Sequence, residues 1–275
     1  MPGGLAMAER AADRDGLTLD EVTVSLGPVL SSWPAGLVVT ARVQGGIVSR
    51  ATVSVLAAPK TAESFWLQPW VGRGGAAADG RVRRRYAAAR QVDSVATLLT
   101  VAGWEDAAWA GRRLRDMLLT GAGGGAGATI PSGSEVGGGG AATDEKTLGH
   151  RWIRRMRRSR TLRWSLRDVG AVVNGPGVPR DLVGDTWDRL DARLAEIGRS
   201  LSGSWWDREV AGHDRATAGW AADFAAVEKA RADWIVGALP ELLTGVTLAE
   251  ARLIVAGLDP DLDLSRWASR EGAHG

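Results

Sequence analysis

The densest run of chemically active side chains lies between His150 and Arg167, where Arg151, Arg154, Arg155, Arg157, Arg158, Arg160, Arg163 and Arg167 occur without one acidic residue. Trp152 and Trp164 are interleaved with them. Guanidinium groups that pair with phosphates, beside indoles on which bases stack, make a surface suited to RNA or to an anionic lipid face. The simpler reading is a solvated or partner-facing helix. Trp152, Ile153 and Met156 then turn inward, while the arginines lay their stems along apolar surface and keep their heads in water. No nucleic-acid-binding motif accompanies the run. The candidate binding surface, for a protein partner or a polyanion, is Arg151, Arg154, Arg155, Arg157, Arg158, Arg160 and Trp164.

Carboxylates form the second constellation. Asp181, Asp185, Asp188 and Asp191 recur at helical spacing, and paired carboxylates can act as general acid and base or bind hard cations. A hydrolase using Asp185 or Asp188 is conceivable on that basis alone, but nothing else completes a site. Asp181 and Asp185 are expected to cap a helix start, with Asp188 and Asp191 pairing with neighbouring arginines. Asp259, Asp261 and Asp263 alternate without the glycine and glutamate of a calcium loop. Gly121–Gly127 resembles a phosphate loop, yet it does not join a strand to a helix.

Composition removes most other chemistry. Among 275 residues there is no cysteine and there are only three histidines, His150, His213 and His274. Disulfides, zinc ribbons, thiolate-bound clusters and cysteine nucleophiles are thereby excluded, and no cofactor or metal site is expected. Of the 34 basic residues only Lys60, Lys146 and Lys229 are lysines, against 32 acidic ones. A GC-rich coding sequence produces that arginine bias, so the bias says little about partners. No apolar run reaches the roughly 18 residues of a membrane span. The first 16 residues lack a signal-peptide core. A cytoplasmic protein is expected, either free or peripheral at the cytoplasmic face of the membrane.

The elements that would position these groups follow from periodicity. Residues 1–18 read as a flexible lead-in. Val22, Val24 and Leu26 alternate as a strand that Gly27-Pro28 stops. Leu37, Val39, Ala41 and Val43 form a second strand, and Gly45-Gly46 supplies a tight hairpin turn. A third strand follows, with Ile47, Ala51, Val53 and Val55 inward. Phe65, Trp66, Pro69 and Trp70 cap an open end of the core. Helices over about 82–101 and 105–119 pair as an αα-hairpin, with Arg112, Arg113 and Arg115 towards solvent. Ten of the 23 residues from Gly121 to Thr143 are glycine, which predicts a disordered linker over 121–147. The region 148–264 is mostly helical and is expected to pack on residues 19–120. One of its helices buries Trp187, Leu190, Leu194 and Ile197 and exposes Asp188, Arg189, Glu196 and Arg199. Another ends at Pro240. Residues 265–275 read as a flexible tail. The fold class is α+β: an N-terminal antiparallel hairpin or small sheet packed on a mainly helical bundle, interrupted by the glycine-rich linker.

Three segments carry a resemblance. Leu26-Gly27-Pro28, a short loop, Gly36-Leu37-Val38-Val39 and the turn Gln44-Gly45-Gly46-Ile47-Val48 form the first. The second is Gly184-Asp185-Thr186-Trp187-Asp188-Arg189 with Glu196-Ile197 and Ser200, and the third is Ala256-Gly257-Leu258-Asp259-Pro260. In this order they resemble the superfamily of nickel–iron hydrogenase large subunits and the homologous quinone-site subunit of respiratory complex I. That family holds nickel with two cysteine pairs, the last directly after the Asp-Pro, where this chain has Asp261 and Leu262. The complex I branch has a His-Arg-Gly-x-Glu segment that Ala57–Trp70 lacks, and a quinone-facing histidine in a loop that here reads Ser31-Ser32-Trp33-Pro34. The resemblance therefore implies a reduced, cysteine-free homologue without the nickel site or the quinone site. Its role would be structural or accessory, docking a protein partner in a redox complex and performing no catalysis of its own. The alternative is an arginine-rich module for RNA or an anionic membrane surface.

Overall fold

Alternating apolar residues in the N-terminal quarter build an antiparallel sheet ordered β1-β2-β3-β4. The computed structural model of the chain describes residues 9–12, 18–57, 65–71, 80–122, 138–202 and 217–263. The strands are β1 (Glu9–Ala12), β2 (Thr18–Leu26), β3 (Leu37–Gln44) and β4 (Ile47–Val55). Five of the residues expected in a flexible lead-in are thus in strands, since Glu9–Ala12 form β1 and pair with Thr18–Glu21, the start of β2. Gly45 and Gly46 both have positive φ, 58° and 84°, which matches the twist of a two-residue hairpin.

Leu37, Val39 and Ala41 are buried as alternation requires. On β4 the expected face changes partway. Arg42 pairs with Arg50 but Val43 pairs with Val48, so Ser49 is an extra residue on β4. A bulge reverses which side chains point inward. Val48 is therefore buried, in place of Ile47 as the core anchor at that end. Val55 keeps the side of Ala51 and Val53 but is exposed at the strand's end.

The helices are α1 (Gln68–Val71), α2 (Gly80–Val101), α3 (Glu105–Ala122), α4 (Gly138–Arg158), α5 (Arg160–Leu166), α6 (Thr186–Ser202), α7 (Thr217–Leu242) and α8 (Leu248–Leu258). α2 and α3 form the expected αα-hairpin through Ala89, Val92, Leu99, Ala108, Leu114 and Leu118, all buried. Only Arg113 of the three arginines placed outward on α3 is fully exposed. Arg112 donates to Thr100 Oγ1 at 2.7 Å and Arg115 pairs with Asp93 at 2.5 Å, both on α2.

The glycine-rich stretch is narrower than its composition suggests. Gly121 and Ala122 complete α3, and α4 already begins at Gly138; residues 123–137 lie outside the described residues, as do 1–8 and 264–275. Arg85 explains the recruitment of the first half of α4. Its guanidinium donates to the Met117 and Leu118 carbonyls in the last turns of α3, at 2.9 and 2.8 Å, and to Glu145 of α4 at 2.6 Å. A cation near the carboxyl end of a helix is favourable, and the same group ties down the incoming helix. Pro240 does not end α7, which runs two residues further, to Leu242. A proline in the last turn removes only one helical hydrogen bond.

Two apolar clusters result. One joins α2, α3, α4, α5 and α6. The other joins the sheet to α7 and α8. α8 serves both, with Ala256 in the first cluster and Ile254, Val255 and Leu258 in the second.

Close helix packing depends on glycine at one place in particular. A Cβ on Gly111 would meet Trp152 Cζ2 at 2.6 Å and Ala96 Cβ at 3.1 Å. Replacing a helical glycine by alanine ordinarily gains up to about 1 kcal/mol, whereas overpacking a core costs about 1–3 kcal/mol. Packing wins at Gly111, so Gly111→Ala lowers stability in urea denaturation. Gly237→Ala in α7, where an added Cβ meets nothing within 4 Å, raises it by about 0.5–1 kcal/mol.

Candidate functional site

A cleft of about 340 Å³ opens where the N-terminal loop meets the end of the described chain. Ser32–Ala35 of the loop after β2 form one wall, and Phe65 and Trp66 another. α2 contributes Arg90, Asp93, Ser94 and Thr97, and the opposite side is the end of α8 and the segment through Asp263. The loop is held in place by local geometry. Gly27 has φ 85°, and a Cβ there would lie 2.2 Å from the Leu37 carbonyl and 2.6 Å from Trp33 Nε1. The Trp33 indole donates to that carbonyl at 2.9 Å. Trp33 therefore braces the loop and has no polar hydrogen left to offer the cleft.

An arginine–carboxylate network runs inward from the cleft wall. Arg90 on α2 contacts Glu228 of α7 at 2.8 Å and Asp261 at 3.3 Å. Arg231 on α7 donates to Asp181 at 2.6 Å, to the Leu258 carbonyl at 2.7 Å and to the Asp259 carbonyl at 2.9 Å. Arg193 of α6, itself buried, reaches the Leu258 carbonyl at 3.5 Å. Cations from two helices thus gather at the carboxyl end of α8, where the helix dipole favours them. Asp259 ends α8 in the left-handed conformation, φ 52°. Burial alone would raise its pKa, but the attraction of Arg193, Arg231 and Arg90 prevails and holds its carboxyl below the usual range. Arg90 shows the same balance: burial lowers its pKa, yet Glu228 and Asp261 carry it above the usual arginine value.

Arg189 sits deeper. Expected on the solvent face of α6, it is 2% exposed. Its guanidinium donates to the carbonyls of Leu182 at 3.1 Å, Gly184 at 2.6 Å and Gly170 at 3.0 Å, and to Thr186 Oγ1 at 3.1 Å. Those loop carbonyls have few helical or strand partners, so burial of the charge is compensated by acceptors. Burial and then Arg193 lower its pKa to about 10, which leaves it charged at neutral pH.

The aspartates of residues 181–191 are structural. Asp185 Oδ1 accepts from the Asp188 backbone and Asp188 Oδ2 from the Asp185 backbone, at 2.9 and 3.2 Å, a reciprocal cap on α6. Asp185 Oδ2 also accepts from the Asp168 backbone at 2.9 Å. Asp188 is therefore a capping residue and makes no arginine ion pair among the described residues, whereas Asp191 does pair with Arg157 at 2.6 Å. Asp181 belongs to a single turn, Arg180–Leu182, outside α6, and pairs with Arg231.

The arginine-rich run is broken at Ser159, whose Oγ accepts from the Leu162 backbone at 3.2 Å and starts α5. Trp152, Ile153 and Met156 face the core, and Trp152 Nε1 donates to the Ala107 carbonyl at 2.8 Å. Arg151, Arg154, Arg155, Arg157, Arg158, Arg160 and Trp164 are all exposed. Arg155 pairs with Asp106 at 2.5 Å and lies 4.9 Å from the Trp104 ring centre; its guanidinium also holds the Asp106 carboxyl below the usual range. Arg151, Arg154, Arg158 and Arg160 have no carboxylate partner among the described residues. None of the residues lining the cleft comes from α4 or α5.

The chain matches no protein-family model and no curated protein. Among the described residues, no three His, Cys, Asp or Glu side chains form a group that could hold a metal ion. The nickel of the hydrogenases does not fit: the chain has no cysteine, and Asp261, which follows the Asp-Pro, is engaged by Arg90. Arg90, Arg193 and Arg231 were not among the expected site residues, and Arg189 was expected at the surface. The one available signal was the i, i+4 pair Arg189 and Arg193, each beside a leucine of the apolar stripe of α6.

Removing the Arg189 guanidinium leaves the Gly170, Leu182 and Gly184 carbonyls without this donor. Arg189→Met costs about 3 kcal/mol in urea denaturation, and Arg189→Lys restores little of it, because an ammonium cannot fork across four acceptors. Asp259 sets an acid limit. Its native pKa lies below the ordinary 3.8, so its contribution is complete above that value and is lost as pH falls through the lower native pKa. The native protein loses stability in that acid range, and Asp259→Asn, already weaker at neutral pH, shows a flatter profile there.

Proposed function

We propose that this chain is a cofactor-free, large-subunit-like component of a cytoplasmic redox assembly, with a structural role in docking a partner subunit. The observation that supports this reading is the convergence of two distant segments. The Ser32–Ala35 loop and the Asp259–Leu262 segment face one cleft. These are the segments that resemble the quinone-site loop and the metal-bearing C-terminal segment of hydrogenase and complex I large subunits. In this chain the corresponding positions hold Trp33, Asp261 and Leu262. Trp33 braces its own loop and Asp261 serves an ion pair with Arg90. Side chains of both walls hold the fold together, which suits a scaffold better than a catalyst.

The third similar segment, Gly184–Arg189, supports the same reading through its self-contained geometry. Arg189 returns to the Gly184 carbonyl, and Asp185 and Asp188 cap each other. Its motif residues bind one another and keep the α6 entrance rigid. Purification of the intact chain from the cells that make it, with quantitative identification of what accompanies it, tests the proposal. Stoichiometric recovery of an iron–sulfur or quinone-reducing subunit is the expected result. A solitary monomer with no redox protein attached overturns it.

A further inference from the structure

The outer face of α4 and α5 is independent of the cleft and carries its own chemistry. Its apolar side is already covered: Trp152, Ile153, Met156, Leu162 and Leu166 are buried in the helical core. Outward and without a carboxylate partner among the described residues are Arg151, Arg154 and Arg158 on α4 and Arg160 on α5, while Arg163, also exposed, lies 5.5 Å from the Trp187 ring centre. Arg154 and Arg158 are four residues apart, about 6 Å along the axis, near the separation of successive phosphates on an extended single strand. Trp164 follows one turn after Arg160 and is 81% exposed, although a tryptophan ordinarily hides most of its surface. Among the described residues, Asp106 pairs with Arg155 and Asp191 with Arg157 on this face.

We propose that the α4–α5 face binds single-stranded nucleic acid, with Arg154, Arg158 and Arg160 on the phosphates and Trp164 stacking on a base. Charge complementarity selects a polyanion, because unpaired guanidiniums repel one another until an anion bridges them. Guanidinium is suited to phosphate through its bidentate fork. The exposed indole distinguishes nucleic acid from a lipid surface. A helix that lies in a membrane must offer an apolar side to insert, and here that side is buried in protein. A single ring beside spaced cations is what a strand with stacked bases requires.

Fluorescence anisotropy of the intact chain with a labelled oligouridylate, measured from about 50 to 300 mM salt, tests this. Binding is expected to weaken with a log–log slope near −0.7 for each phosphate neutralised. The triple substitution Arg154→Ala, Arg158→Ala and Arg160→Ala weakens binding at least tenfold and reduces the slope by about 2. The corresponding lysine variants keep the slope. Trp164→Ala weakens binding about fivefold or more without changing the slope, and Trp164→Phe recovers much of the loss. All these positions are exposed, and unchanged thermal melting verifies that the variants are folded. The proposal is overturned by absence of binding at the lowest salt, or by variants that bind like the parent. It is equally overturned if phosphatidylserine vesicles capture the chain through the same arginines and the oligonucleotide does not compete.

Discussion

The buried guanidinium of Arg189 is the constraint around which the helical half is arranged. Residues 167–185 have little regular structure, and their backbone polar groups need partners wherever they leave water. Arg189 supplies four hydrogen bonds to that segment and its flank, and the mutual bridge between Val172 and Gly184 supplies two more. The segment thereby becomes a fixed platform for the first turn of α6. Thr186, whose hydroxyl also donates to the Val169 carbonyl at 2.8 Å, lies under Gly257 of α8, where a Cβ would come within 2.8 Å of its methyl group. The seating of α6 against α8 follows from that contact.

The end of α8 is then where the separate parts of the chain meet. Its last carbonyls accept from Arg231 of α7 and Arg193 of α6, while Asp259 draws Arg90 of α2 electrostatically. Three helices are thus tied to one helix terminus by cations placed where partial negative charge accumulates. Such a network is weak evidence of net stability, since each buried charge carries a desolvation cost. Its value is in specificity. Misplacing any one of these helices would leave a guanidinium or a carboxylate buried without its counterpart. The cleft is a consequence of this arrangement, since the loop carrying Trp33 closes over the same helix end.

Much of this was legible from residue order alone. Alternation at Leu37–Val43 and the Gly45-Gly46 turn identified the hairpin, and the stripe of Trp187, Leu190, Leu194 and Ile197 identified the inward side of α6. These are local signals, carried by neighbours in sequence. The bulge at Ser49 was not legible, because it depends on which residue of β3 each residue of β4 finds opposite it. Arg189 was misplaced for a similar reason. A periodicity argument assigns every arginine to solvent, and only the carbonyls of Gly170 and Leu182, brought in from elsewhere, make its burial affordable.

The candidate surface on α4 and α5 divides in the same manner. The sequence by itself determined that the arginines outnumber local carboxylates, that no cysteine can bind metal, and that Trp152 and Trp164 stand among the cations. Only the tertiary structure decided that Trp152 is buried against Ala107 and Trp164 is not, and that Asp106 and Asp191 neutralise Arg155 and Arg157 but reach no further. The physical reason is that composition and spacing are properties of one segment, whereas burial and charge pairing are properties of two segments at once. The second segment is supplied only by the fold.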